Sequence, residues 1–214
     1  MKIIIILVLV ILFLWLIGSW FFIRNIEEPK YEVLSKKDGY EIMEYESYLI
    51  AETTIDGSYE KSFNQGFGII ADYIFGNNTK SQKIAMTSPV IDTGSKSDSE
   101  KEFEKIAMTV PVINKVEGND RKISFVMPSK YTIETIPKPN SDLVTLKEVP
   151  ARKVAVLRYT WYSNEKRVED KKQKLSEMLE RDNVETVGDF YSAFYNPPLS
   201  MPLILRNEIL VDLK

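Results

Sequence analysis

The chain contains no cysteine and no histidine in its 214 residues. Disulfides, thiolate nucleophiles, iron–sulfur ligation and Cys or His zinc sites are excluded, as is every catalytic arrangement that needs an imidazole or a thiol. Without cysteine the sequence says nothing of redox compartment. Strong charge of either sign is missing too, since 28 Lys and Arg stand against 31 Asp and Glu for a net charge of -3. Phosphate-binding surfaces need clustered Lys and Arg, yet the most basic stretch, Lys166 to Lys174, is interrupted by Glu169 and Asp170. It reads as a solvated helix face, and nucleic acid is not an expected partner.

Only one long apolar run is present, from Ile3 to Ile23, and it carries no charge. A helix of roughly 20 apolar residues spans about 30 Å, the thickness of a bilayer core. A cleaved signal peptide is the alternative, but Trp15, Trp20, Phe21 and Phe22 crowd the exit where small residues would be cleaved. We therefore read residues 1–24 as an N-terminal membrane anchor, 25–30 as a polar linker and 31–214 as one domain. Lys2 on one side nearly balances Arg24 and Lys30 on the other. The very short head favours a single-pass arrangement with the globular part outside the cytoplasm.

Within the domain, KIAMTSPVI at Lys83 to Ile91 returns as KIAMTVPVI at Lys105 to Ile113. Each copy is short, apolar and closed by a proline, which predicts two strands joined as a hairpin by the polar run Asp92 to Glu104. Alternating patterns predict further strands at Tyr31 to Leu34, Tyr40 to Tyr45 and Tyr48 to Ile55, with a turn at Asp38-Gly39. A helix from about Ser58 to Phe75 follows, with Phe63, Phe67, Ile70 and Ile74 at helical spacing. After a strand at Ile123 to Met127 and a proline-rich loop, the order is replayed: strands Val144 to Glu148 and Lys153 to Thr160, a helix Ser163 to Arg181, then strands Asp189 to Tyr195 and Arg206 to Leu213. The predicted class is α+β, with duplicated β-α-β-β units forming a curved, barrel-like antiparallel sheet flanked by two helices.

Four strings carry a resemblance: KIAMTSPVI at Lys83 to Ile91, SFVMPSKYTIETIPKPN at Ser124 to Asn140, EVPARKVAVLRY at Glu148 to Tyr159, and YNPPLSMPLILRNEIL at Tyr195 to Leu210. With them the region from Tyr31 to Lys214 resembles the SOUL heme-binding protein family; the anchor lies outside the resemblance. The resemblance implies a duplicated α+β body with a shallow apolar cleft for heme or another tetrapyrrole, and distant kinship to small-molecule-binding regulator domains. Some members hold heme through a histidine and others in an apolar groove, and the first mode is closed to a chain without histidine.

A candidate groove lies between the Ser58–Phe75 helix and the loop before the last strand. Phe63, Phe67 and Ile70 would form one wall and Tyr195, Pro197, Pro198, Met201 and Leu203 the other. Lys61 and Arg206 would stand at the rim to meet carboxylates. The competing reading of the three helix residues is ordinary core. Should iron bind, Tyr195, Met86 and Met108 are the axial candidates, each set against plain packing. Glu208 interrupts an otherwise apolar ending and is the single catalytic candidate, as a base or a cation ligand, against a surface ion pair with Arg206. The related domains imply an acidic residue in the final strand that faces the ligand. The leading functional reading is a membrane-anchored binding protein for heme or another planar apolar molecule, serving buffering, transport or delivery. A hydrolase-like enzyme on the same cleft and a protein-interaction module are the alternatives.

Overall fold

A computed structural model describes residues 1–23, 26–57, 59–79, 103–117, 120–197 and 200–214. The first repeat copy with Met86, most of the run that follows it, and Pro198 lie outside the described residues. Helix α1 (Lys2–Ile23) is apolar on every side, so it has no polar face to offer water. Most of its side chains are exposed rather than packed on the body, and only Ser19 is buried among those described. By length and composition it can cross a bilayer, a property secretion signals share.

Strands β1 (Tyr31–Lys36) and β2 (Glu41–Tyr45) form the hairpin expected from Asp38-Gly39. Gly39 sits at φ +99, a backbone conformation that favours glycine, and a Cβ there would also push the Met178 sulfur aside. Strand β3 (Tyr48–Asp56) leads into helix α2 (Tyr59–Phe75) and the two-residue β4 (Asn78–Thr79). Strands β5 (Val112–Glu117) and β6 (Asp120–Val126) pair as a hairpin, and β7 (Lys138–Pro139) pairs with β4. The replay follows as β8 (Thr145–Val149), β9 (Arg152–Tyr159), α3 (Glu165–Arg181), β10 (Thr186–Phe194), a 3-10 turn (Pro202–Ile204) and β11 (Asn207–Leu213). Helix α3 starts two residues later than the pattern suggests because Asn164 caps it, its side chain accepting from the Arg167 N–H.

One correction concerns the second repeat copy. Among the described residues, Glu104 to Pro111 form no strand, and regular pairing starts only at Val112. Proline lacks the N–H a ladder needs, so Pro111 precedes the strand instead of closing it. The segment is nevertheless packed: Ile106 is buried and donates its N–H to the Ile74 carbonyl, while Asn78 binds the Glu104 backbone through both ends of its amide.

All pairings are antiparallel, in the order β1-β2-β9-β11-β10-β5-β6-β3-β8. The duplication is visible here. In β3-α2-β5-β6 and in β9-α3-β10-β11, the first strand pairs with the last and the last with the middle one, and the units join through β10 and β5. Strands β9 and β3 are five steps apart, which in a flat sheet would be roughly 24 Å. Yet the Arg152 guanidinium on β9 lies 2.8 Å from the Tyr48 hydroxyl on β3, so the sheet curls into a half-barrel. Among the described residues it does not close, and β1 and β8 are its edges.

Period-2 alternation divides the core between the faces. Toward the helices, α2 packs Ile70, Tyr73 and Ile74 on Ala51, Ile123 and Phe125, while α3 packs Val168, Leu175, Met178 and Leu179 on Ala155, Leu157, Ile209 and Val211. Full burial of each such aliphatic side chain contributes about 1.5–3 kcal/mol before entropy is counted. The opposite, concave face gathers Met43, Tyr45, Val154, Val156, Tyr191, Tyr195 and Leu210.

Candidate functional site

The polar residues of the concave face come from positions that share parity with Val154, Val156 and Leu210. Arg152 and Arg158 on β9, and Glu208 and Asp212 on β11, therefore project to the same side. Glu208 is fully buried. Its carboxylate accepts from Arg158 Nε at 2.8 Å, Arg206 Nε at 2.8 Å and the Tyr195 hydroxyl at 2.7 Å. Tyr195 spends its one proton on Glu208, so at 3.5 Å it is Tyr45 that donates to Tyr195. Burial first, and Glu208 second, push the Tyr195 hydroxyl well above the usual phenol range. For Arg206, burial works against the charge, but Glu208, Tyr195 and Glu28 together more than offset it, so the guanidinium is held cationic even more firmly than usual. Arg206 also stacks 3.8 Å above the Tyr195 ring.

A second knot is centred on Arg152, which pairs with Asp212 at 3.0 Å and donates to Tyr48 and Tyr191. Tyr191 in turn donates to Asp212, and burial holds its hydroxyl far above the normal range. Between the knots, a gap lined by Tyr45, Tyr48, Tyr191, Tyr195 and Leu210 has a volume of only about 10 Å³. That is room for one water at most.

Residues 26–30 are strapped across the mouth of this face. Glu27 receives the Val110 N–H on its carbonyl and the Ser129 N–H on its carboxylate, Glu28 pairs with Arg206 at 2.8 Å, and Lys30 accepts from the Glu46 N–H. Pro29 is buried and lines the inner gap. Its other side borders a cleft of about 780 Å³, closed opposite by the β2–β3 turn and the loop after β6. Tyr48, Leu49, Val126, Met127, Tyr131 and Ile133 give this cleft an apolar and aromatic lining. Its volume falls in the range of small-molecule sites, roughly 300–1,000 Å³. Glu27, Glu28, Glu46, Glu134 and Glu148 stand around it, with Lys30 as the cation of the lining.

The groove expected from the sequence is not assembled. Phe63 meets Phe194 edge to face at 5.5 Å, Phe67 tilts on Phe125 at 5.1 Å, and Ile70 is fully buried, so this wall is core. Phe194 and Tyr195 are consecutive and point to opposite faces, which places Tyr195 on the far side of the sheet from α2. Pro197 and Lys61 are exposed, Met201 is half-buried, and Leu203 is exposed on the 3-10 turn. Arg206 is drawn to Glu208 instead of standing free at a rim. Met108 is exposed and is not in the cleft lining. The surface ion pair weighed for Glu208 is corrected to a buried one, because alternation turns residue 208 inward with Leu210.

A tetrapyrrole fits these residues unequally. The cleft is large enough for the ring, and its apolar and aromatic residues would meet the ring faces while the glutamates stand at the edge. The lining tyrosines offer the iron no ligand, because Tyr131 donates to Glu104 and is raised by burial and by that bond, and Tyr48 is raised by burial; the thioether of Met127 is turned into the core, with 3% of the residue exposed. Neither phenol is poised as a phenolate. Among the described residues no group of three or more acidic side chains is arranged to hold a metal ion.

Sequence reasoning missed the cleft. Val126, Met127, Tyr131 and Ile133 lie within the string Ser124 to Asn140 that carries the resemblance, which was the signal available. Arg158, a charge that follows the apolar run 154–157, was another.

The two pseudosymmetric β-α-β-β units, curled into a half-barrel with helices on the convex side and a cleft at the other, define a duplicated α+β protein. The chain belongs to the SOUL heme-binding protein family, whose model matches residues 26–212. Comparison with curated proteins returns no match. Among solved structures it is similar to the C-terminal domain of EcmrR, at 9% identity and a TM-score of 0.56 over 86% of this chain and 98% of that one. It is also similar to a hydrolase from Listeria innocua, at 10% identity and a TM-score of 0.47 over 85% of this chain and 94% of that one. At such identities the first likeness concerns the fold alone.

Proposed function

We propose that this chain is a membrane-tethered SOUL protein that binds a flat, largely apolar molecule of the tetrapyrrole class, for buffering, transport or delivery, and that it grips the ring and not the metal. The observation that carries this reading is the 780 Å³ cleft with aromatic and aliphatic walls inside a SOUL domain that has no histidine. Tyr48 and Tyr131 would stack on the macrocycle, while Leu49, Val126, Met127 and Ile133 exclude water from its faces. Lys30 would meet a peripheral carboxylate; the glutamates direct any further carboxylate outward to solvent. The apolar α1 serves as the tether in this reading, with the domain on the extracytoplasmic side.

Glu208 is fully buried and three of its four lone-pair sites are taken by two guanidinium groups and a phenol, so it presents none to a ligand in the cleft. A base must reach the proton it removes, so the binding role is the better supported one. The test is a hemin titration of the full chain in detergent micelles. The expected result is a saturable Soret change at one equivalent with a high-spin spectrum, weakened at least about tenfold, near 1.4 kcal/mol, by Ile133→Asp. Non-saturable partitioning, or a low-spin spectrum of two nitrogen ligands, would overturn it.

A further inference from the structure

We infer that the Trp161–Tyr162 corner and the Met201–Ile204 turn make a second contact with the membrane, docking the body on the lipid surface beside the point where α1 emerges. This rests on reading α1 as a retained anchor. Two observations that do not depend on each other support it.

The first is position. The Met201 N–H donates to Ser19 Oγ at 3.1 Å. Ser19 lies four residues before Ile23, the last residue of α1, which is about 6 Å along a helix axis. A loop bonded at that depth cannot stand clear of the bilayer that the helix spans; it meets the headgroup layer.

The second is the surface itself. Trp161 is 47% exposed, Tyr162 50% and Leu203 62%. Exposed apolar side chains are ordinary when scattered, but a cluster marks an interaction surface. Trp161 and Tyr162 stack edge to face with ring centroids 6.4 Å apart. Trp161 holds a φ of +78, a strained conformation that a bulky residue adopts only where its surroundings impose it. Its frame is over-determined: its N–H donates to the Pro202 carbonyl at 3.0 Å and its carbonyl accepts from Asn207 Nδ2 at 2.8 Å. The first bond ties the corner to the turn that touches Ser19 and the second ties it to the start of β11, so the backbone that carries the indole is fixed to the same frame as Leu203. Trp and Tyr are the side chains that favour the membrane interface, where an apolar body and a polar tip are both satisfied.

The chain has three tryptophans, so Trp15→Phe with Trp20→Phe leaves Trp161 as the sole fluorophore of the full chain. Reconstituted in phosphatidylcholine vesicles, it is expected to emit blue-shifted light and to be quenched by lipids brominated near the headgroup more than by lipids brominated at the acyl ends. Vesicle co-flotation with Trp161 unquenched and open to iodide would overturn the inference while leaving the anchor intact. A blue-shifted but lipid-unquenched Trp161 would place the patch against protein, a second copy or another chain, and would also overturn it. Absence of co-flotation would defeat the anchor reading, and this inference with it. Since the native chain has no cysteine, Leu203→Cys takes a unique spin label in the otherwise native sequence; relaxation by oxygen over aqueous nickel supports lipid contact and the reverse refutes it.

Discussion

Replacing Glu208 by glutamine tests the buried network with almost no change of shape. Three hydrogen bonds of 2.7–2.8 Å converge on this carboxylate, two of them from guanidinium groups. Bonds to charged groups contribute about 1.5–3 kcal/mol each, and breaking a buried ion pair typically costs about 3–5 kcal/mol. The cations are not wholly stranded, because Arg158 keeps Glu41 at 3.2 Å and Arg206 keeps Glu28 at 2.8 Å. The amide oxygen of glutamine can still accept one donor. The expected loss is therefore at the low end, about 3 kcal/mol, which for a domain of this size lowers Tm by about 6–12 °C. Urea denaturation of the full chain in micelles, followed by circular dichroism, measures it, with Glu185→Gln, which removes an exposed pair with Lys214, as a peripheral control expected to cost under about 1 kcal/mol. If Glu208→Gln also costs less than about 1 kcal/mol, the network behaves as a surface ion pair and the argument from burial fails.

Other expectations follow from packing and charge. Gly66→Ala would bring a methyl to 2.6 Å from Ile123 Cγ1, and Ile123 is fully buried, so it should destabilise by about 1–2 kcal/mol despite the better helix propensity; Gly68→Ala meets nothing within 4 Å and should stabilise by up to about 1 kcal/mol in the same denaturation assay. Glu46→Gln with Glu148→Gln removes two exposed charges from the cleft rim, each repelling a ligand carboxylate roughly 8 Å away by about 0.5 kcal/mol, so a dicarboxylate porphyrin should bind about fivefold tighter at low salt and the gain should shrink as salt rises. Burial raises Tyr59 to about 12 and lifts Tyr45, Tyr191 and Tyr195 above the normal phenol range. The folded state thus keeps protons the unfolded chain gives up near pH about 10, so this contribution is intact below that pH and is lost as pH rises through the folded values. Urea midpoints should fall steeply above pH about 10, with phenolate absorbance appearing together with unfolding; midpoints flat to pH about 11.5 would contradict the burial argument.

Much of the fold was legible because local rules agree with global ones. The Asp38-Gly39 turn, the Phe63–Ile74 stripe and the Val168–Leu179 stripe each specify an element without help from distant residues, and the replayed order specifies the pairing of two units. The second repeat copy misled because a short apolar run suits any buried extended segment, and only the missing N–H of Pro111 tells where pairing can start. The site was harder to read for the same kind of reason. Periodicity shows that Phe63, Phe67 and Ile70 share a face but not whether sheet or ligand covers it, and β10 in fact covers Phe63 with Phe194. Residues 26–30 look like a bland linker, and their role in walling the cleft depends on Val110, Ser129 and Arg206, all far away in sequence. Glu208 was visible as an anomaly; its partner Arg158, 50 residues earlier, becomes a partner only through the β9–β11 register.

The central claim is that the cleft holds the ring and leaves the iron without a protein ligand. Parallel equilibrium titrations of hemin and metal-free protoporphyrin into the full chain test it most directly. The account predicts saturable binding of both, with Kd values within about threefold, a difference of under 1 kcal/mol. Hemin bound about 100-fold more tightly than the free porphyrin would mean that a side chain ligates the metal, and would contradict it.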